Sequence, residues 1–206
     1  MVKTDFLVIG SGIAGLSFAL KVADLGEVII ITKKNDSESS TNYAQGGIAG
    51  AIGSDDSKEQ HITDTITAGC DLCHKDMVKV VIDEGPMVIN QLMSWGCRFT
   101  RGADGKLALG REGGHSRNRI VHADDLTGHE IEIALLAQVK EHPNITLLEN
   151  HITVDLLTEH NVAVMTKHGA VTCFGAYVLD VENGQVETFL SGTTMLATGG
   201  TGAVYL

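Results

Sequence analysis

The chain opens on an unbroken apolar run, Asp5-Phe6-Leu7-Val8-Ile9-Gly10, the pattern of a strand covered on both faces of a parallel sheet. From about Ala14 to Leu25 the period changes: Leu16, Ala19, Leu20 and Ala23 recur at helical spacing, and Gly26 stops the helix. A second apolar run, Glu27 to Thr32, completes a βαβ unit. The polar, glycine-rich stretch from Lys34 to about Ser54 is too long for a simple connector, and loops of that kind are commonly binding loops. Helical spacing returns at 57–70 and 76–95, with a break expected near Gly85 and Pro86. It returns again at 127–141, where Thr127 is expected to cap the helix and Ile131, Ala134, Leu135 and Val139 to form its buried stripe. Beyond Pro143 the pattern is β: ITLLEN, HITVDLLTEH, VAVMTK, then GAYVLDVENGQVETFLSG and TTMLATGG, with Asn183-Gly184 predicting a type I′ hairpin. The sum is a single α/β domain, a Rossmann-like parallel sheet with an appended antiparallel β-meander.

Charge narrows the partners. The 206 residues carry 26 acids against 15 bases, a formal net charge of −11, which argues against nucleic acid as the main partner. Any phosphate site must then be local and built from backbone N–H groups. The N-terminus becomes strand-like at once, without a secretory pattern, and the longest apolar runs are only strand-length. A cytoplasmic chain with no membrane contact is therefore expected, its four cysteines, Cys70, Cys73, Cys97 and Cys173, being free thiols. The last residues form a glycine-rich turn directly after an apolar run, which suggests the leading part of a longer chain.

Gly10, Gly12 and Gly15 form G-x-G-x-x-G between the first strand and the first helix, the context in which that spacing binds a dinucleotide. The first glycine makes the turn, the second admits a pyrophosphate to the backbone, and the third lets helix and strand pack. Where an acid usually receives the ribose, this chain has Thr32 and Lys33. Three readings stand at that point: a contact to the 2′-phosphate of NADP, a contact to the adenosine end of FAD, or a solvated strand end. Two further stretches favour a tightly held flavin over an exchanging nicotinamide. The run from Ser40 to Gly50 offers hydroxyl, amide and glycine backbone in density, and Ala197, Thr198, Gly199 and Gly200 form a second strand-to-glycine turn able to close on the other side of the nucleotide.

Other constellations have plainer explanations. Cys70 to His74 reads C-x-x-C-H, but haem attachment and a zinc site with His61 or Cys97 are both less expected than helix-end packing. No metal is expected. Leu92, Met93 and Trp95 read as a helix end in the core. Arg111, Glu112, His115, Arg117, Arg119, His122, Asp124 and Asp125 describe either a solvated loop with weak surface pairs or a pocket for a dicarboxylate. Taken alone, the residue types favour the solvated loop.

Together GSGIAGLS, the strand end TK, SSTNYAQGGIA, GREGGHSRNRIVHA, DLTG and ATGG resemble the N-terminal part of the L-aspartate oxidase family, within the succinate dehydrogenase and fumarate reductase flavoproteins. The resemblance implies a glutathione-reductase-type FAD-binding domain, with capping and C-terminal helical domains absent from this stretch. It implies an FAD-dependent oxidoreductase that converts L-aspartate to iminoaspartate with O2 or fumarate as acceptor, the first step of NAD biosynthesis, with quinolinate synthase as a partner. By position, Ser11, Gly12, Ile13 and Ala14 would meet the pyrophosphate and Lys33 the adenosine end. Ser40, Thr41, Asn42, Tyr43, Ala44, Gln45, Gly46 and Gly47 would meet the flavin side, and Ile152 and Thr153 the adenine. Ser40 stands where respiratory members carry the histidine that bonds FAD covalently, so the flavin is expected to be non-covalent. Glu112 takes the place of the substrate-orienting glutamate, able to receive the ammonium of aspartate, with His115 beside it. The chain by itself is expected to be inactive and to hold FAD weakly. The alternatives are a fumarate reductase or succinate dehydrogenase flavoprotein, and a non-enzymatic nucleotide-binding module.

Overall fold

A computed structural model describes residues 1–35, 39–160 and 171–200. In chain order the elements are β1 (Val2–Ile9), α1 (Ile13–Val22), β2 (Val28–Ile31), β3 (Ile48–Ala49), α2 (Lys58–Ala68), α3 (Lys75–Ser94), β4 (Leu109–Gly110), β5 (Ile120–Val121), α4 (Thr127–Glu141), β6 (Ile145–Leu148), β7 (His151–Thr158), β8 (Cys173–Asp180) and β9 (Gln185–Leu196). They group into two compact units, Met1–Asn42 with Leu135–Leu206, and Tyr43–Ala134.

The first unit is built on a six-stranded sheet in the order β6-β2-β1-β9-β8-β7. β1 is central, parallel to β2 on one side and to β9 on the other, and β6 extends the parallel part beyond β2. Its first residues alternate, with Lys3 and Asp5 exposed, and only Leu7, Val8 and Ile9 are buried in succession. Burial on both faces is therefore confined to the carboxyl half, where α1 also packs through Leu16 and Ala19. Leu7, Ile9, Ile31, Ala176, Val178 and Phe189 form one apolar cluster across four strands.

The expected meander is present, but it is continuous with the parallel sheet. β9 is one strand of 12 residues where two runs were read. Its first half pairs antiparallel with β8, from Gln185 to Leu190, while Phe189 to Leu196 pair parallel with β1. The partner strand carries the chain straight through Gly192, which local sequence marks as a break. The type I′ turn is also corrected. Val181 to Gly184 form a four-residue loop in which only Gly184 has positive φ (64°), whereas type I′ needs it at both central residues. The Asp180 carboxylate organises that loop, accepting from the Glu182 and Asn183 amides at 2.9 and 3.1 Å. The run VAVMTK lies outside the described residues.

The second unit holds α2, α3, a three-stranded antiparallel sheet β3-β5-β4 and the start of α4. Ser57 caps α2 by accepting the Gln60 amide at 3.1 Å. α3 runs unbroken for 20 residues through Gly85 and Pro86. Proline forfeits one backbone hydrogen bond, yet Ile82, Ile89 and Leu92 on one face stay buried and hold the helix together across it. Leu92 is buried as read, with Met93 and Trp95 half-buried. Thr127 is the first residue of α4 rather than its cap, and its hydroxyl accepts the Ala123 amide at 3.0 Å, closing the preceding loop. Ile131, Ala134, Leu135 and Val139 are buried as expected.

Leu7 is fully buried at the centre of the sheet cluster. Leu7→Ala is expected to cost about 3 kcal/mol of folding stability, read from the shift in urea midpoint.

Candidate functional site

The first unit carries a cleft of ≈ 600 Å³ at the carboxyl ends of β1, β2 and β9. Open α/β sheets place ligands at such strand ends. Gly10, Ser11, Gly12, Ile13 and Ala14 form its floor, Thr32 and Lys33 one side, and Ala197, Thr198 and Gly199 another. Ser40, Thr41, Ile152 and Thr153 line it as well, so four further stretches of the sequence share this cleft with the glycine loop. Ser39 and His151 line it too and were not anticipated; their signal was adjacency, one residue before Ser40 and before Ile152.

The three loop glycines have distinct physical reasons. Gly10 has φ +114°, and a Cβ there would strike the Ala197 carbonyl. A Cβ at Gly15 would strike the Gly10 carbonyl, so Gly15 permits the helix-to-loop approach and does not line the cleft. Gly12 differs: a Cβ there would meet only Thr41 Oγ1, at 3.3 Å. Its openness leaves the backbone accessible at the N-terminus of α1, where the first-turn amides lack intrahelical acceptors and carry partial positive charge. The Thr41 hydroxyl accepts the Ile13 amide at 3.0 Å, drawing the Ser39–Thr41 stretch over that end.

Thr32 has structural work to do. Ser11 Oγ donates to Thr32 Oγ1 at 2.9 Å in a buried contact. The Thr32 amide donates to the Leu148 carbonyl and its own carbonyl accepts the His151 amide, both at 3.0 Å. Thr32 thus ties the glycine loop to the β6–β7 turn, while the neighbouring Lys33 is exposed at the cleft edge. On β7, Thr153 Oγ1 is buried and has no hydrogen-bond partner among the described residues. Asn42 and Gly200 do not line the cleft.

Tyr43, Ala44, Gln45, Gly46 and Gly47 belong to the second unit. There the Ala44 carbonyl accepts the Gly128 amide at 2.9 Å, at the start of α4. A Cβ at Gly47 would collide with Ile120 and the Val121 carbonyl, and one at Gly46 would come within 3.4 Å of Glu112 Oε1. Glu112 is exposed and lies beside this glycine pair, in a turn where the His115 amide donates to the Glu112 carbonyl at 3.3 Å.

Arg119 departs from the solvated-loop reading. It is fully buried, and its Nε and Nη2 grip the two oxygens of Asp56, each at 2.8 Å. Nη1 donates to Asp64 Oδ2 at 2.8 Å and approaches His115 Nδ1 at 3.4 Å. A guanidinium in a protein can only donate, so Nδ1 is the acceptor and His115 keeps its proton on Nε2. Arg111 and Arg117 remain exposed, while Asp124 exchanges hydrogen bonds with Thr100. The amide of Ser116 beside Asp64, with desolvation opposing, holds the Asp64 carboxyl well below the usual carboxylate range; the Ser116 hydroxyl, Gln60 and Arg119 add to it. Burial, then Arg119 and His115, lower His61.

The cysteines show helix-end packing. Cys73 donates to the Thr65 carbonyl at 3.6 Å, Cys70 is exposed, and burial followed by the Glu130 charge pushes Cys97 up to about 12. All four thiols are free.

Comparison with known proteins decides the family. Residues 5–205 match the family model described as an FAD binding domain. This chain belongs to the FAD-binding domain family. It is 48% identical to the chloroplastic L-aspartate oxidase of rice over 98% of its own length and 30% of that enzyme. It is 43% identical to L-aspartate oxidase 1 of Ralstonia nicotianae, covering 98% of itself and 38% of that protein. A solved quinol fumarate reductase of E. coli superposes with a TM-score of 0.89 at 30% identity, over 100% of this chain and 34% of that one. The chain thus spans roughly a third of the length of these relatives. FAD is the cofactor of its family, and the cleft fits that group: an open glycine at a helix N-terminus for the diphosphate, and an orphaned Thr153 hydroxyl for a polar ring edge. Among the described residues no helix is long and apolar enough to cross a membrane, and no group of three or more His, Cys, Asp or Glu is placed to hold a metal.

Asp64 supplies a pH test. Its folded value lies below the ordinary 3.8, so the folded state binds fewer protons, and its contribution to stability is complete above that value and lost as pH falls through the folded one. Asp64→Asn is therefore expected to flatten the acid limb of thermal stability between roughly pH 4 and pH 2, followed by circular dichroism.

Proposed function

We propose that this chain is the FAD-binding part of an L-aspartate oxidase, which oxidises L-aspartate to iminoaspartate with O2 or fumarate as acceptor and so begins NAD biosynthesis. The observation that carries the reading is the pairing of the glycine-loop cleft with relatives of that name at 43–48% identity over nearly the whole chain. When bound, FAD supplies the acceptor for the hydride leaving the substrate Cα. Gly12 and Ala14 hold the diphosphate through backbone N–H groups, with Ile13, whose amide is taken by Thr41 Oγ1, lining the cleft between them. Lys33 faces the adenosine end, Ile152 and Thr153 border the adenine, and Thr198 and Gly199 close the opposite side. Asn42, Tyr43, Ala44, Gln45, Gly46 and Gly47 serve the flavin side.

Glu112 is assigned to the substrate ammonium. It is exposed beside Gly46, and a carboxylate there distinguishes an amino dicarboxylate from a plain one. Ser40, a cleft residue, carries no imidazole, so the flavin is held without a covalent bond. That residue, together with the higher identity to oxidases, supports L-aspartate oxidase over a respiratory fumarate reductase flavoprotein, although the latter shares the fold. We place the protein in the cytoplasm, a reducing compartment consistent with four free thiols. Quinolinate synthase, as consumer of the product, is the partner we assign. Spanning roughly a third of its relatives, the chain by itself is assigned FAD-site groups without turnover.

Three measurements test this. The complete protein carrying this sequence is expected to form iminoaspartate from L-aspartate, with peroxide in air; flavin bound without that turnover, or flavin retained after acid precipitation, rejects the reading. Gly12→Ala, whose new methyl meets only Thr41 Oγ1, is expected to keep the melting temperature while weakening FAD at least about tenfold by blocking backbone approach. Glu112→Gln is expected to raise KM for L-aspartate about 10- to 100-fold, the loss of a charge-assisted hydrogen bond.

A further inference from the structure

The turn that carries Glu112 and His115 is pinned at its far end by a buried charge array. Asp64 Oδ2 accepts three hydrogen bonds at once: the Ser116 amide at 2.9 Å, the Ser116 hydroxyl at 2.7 Å and Arg119 Nη1 at 2.8 Å. Its other oxygen is held by Gln60 at 2.9 Å, one turn earlier on α2. Arg119 is locked in turn, bidentate on Asp56, with its amide on the Gly110 carbonyl and its carbonyl on the Gly50 amide. Between the Gly110 and Ser116 anchors lie the exposed Arg111–Gly114 and the half-buried His115, with Gly114 at φ +82° leaning towards Ala68 at the end of α2. Exposed turns with few contacts of their own sample many conformations. Here one end is fixed by the buried Arg119 and the other by the half-buried Asp64.

A purely structural ion pair needs neither the Ser116 bonds nor the contact to His115. Both direct the array at the turn, and the second sets the His115 tautomer. The exposed Glu112 carboxylate and the half-buried His115 imidazole are thereby held on one fixed turn, and a ligand with opposite charges at two points requires such fixed partners.

We propose that Asp64, acting through Ser116 and Arg119, is a positioning residue that aims Glu112 and the His115 Nε2–H and so sets the preference for an amino dicarboxylate. The assignment rests on the proposed aspartate oxidation. Asp64 touches no substrate; its effect is the orientation of two groups that do.

The test uses the complete flavin-loaded protein and two variants, Ser116→Ala, which removes one bond at an exposed position, and Asp64→Asn. Each is expected to raise KM for L-aspartate about tenfold, with kcat within about twofold and KM for fumarate as acceptor unchanged. Tryptic cleavage after Arg111 and Arg117 is expected to quicken about tenfold in both, in Ser116→Ala at an unchanged melting temperature, as the turn opens more often. Asp64→Glu, which retains the charge, is expected to restore part of both. Equal rises for aspartate and fumarate, or an unchanged aspartate KM with unchanged cleavage, overturn the proposal. A parent protein that does not oxidise L-aspartate defeats the functional reading instead, and the cleavage rates then judge the clamp by themselves.

Discussion

The cleft of the first unit depends on one constraint, the contact of backbone with backbone at the carboxyl end of β1. The Gly10 carbonyl occupies the space a Cβ at Gly15 would need, and the Ala197 carbonyl the space a Cβ at Gly10 would need. Two segments separated by most of the chain therefore turn at the same point because no side chain stands between them. The Ala197 amide reaches the Ile9 carbonyl and the Gly10 amide the Ile31 carbonyl, each at 2.9 Å, so β2, β1 and β9 end in register. With Gly10 and Gly15 committed to packing, Gly12 is the one of the three loop glycines left open.

The second unit solves a different problem, holding an exposed turn steady. A guanidinium shared by two carboxylates is costly to desolvate and is tolerable only when its hydrogen bonds are met. Arg119 meets that condition with three bonds of 2.8 Å to Asp56 and Asp64. Its partners come from the loop before α2 and from α2 itself, so the array couples that helix to the strand β5 on which Arg119 leads. Like a buried glycine contact, it converts sequence-distant groups into one local geometry.

Much of this was legible in one dimension. The βαβ start, the helical stripes and the glycine spacing are periodic or local signals, and periodicity reports which faces an element buries. So are the packing roles of Gly10 and Gly15, because a tight turn between strand and helix leaves few choices of residue. Local signals misled where a neighbour overrode them: Gly192 in β9, Pro86 in α3, and Asn183, whose turn is organised by the Asp180 carboxylate.

The sequence by itself determined the class of fold, the place of the glycine loop and, by resemblance, the chemistry to expect. Only tertiary structure decided that the β-meander joins the parallel sheet, that Thr32 is spent on holding Ser11 and the β6–β7 turn, and that Arg119 is a buried clamp. The reason is physical. Periodicity encodes how one element meets water and core, whereas strand order and charge pairing depend on which distant residues arrive opposite one another. Asp56, Asp64 and Arg119 are ordinary surface residue types until the chain brings them within 2.8 Å.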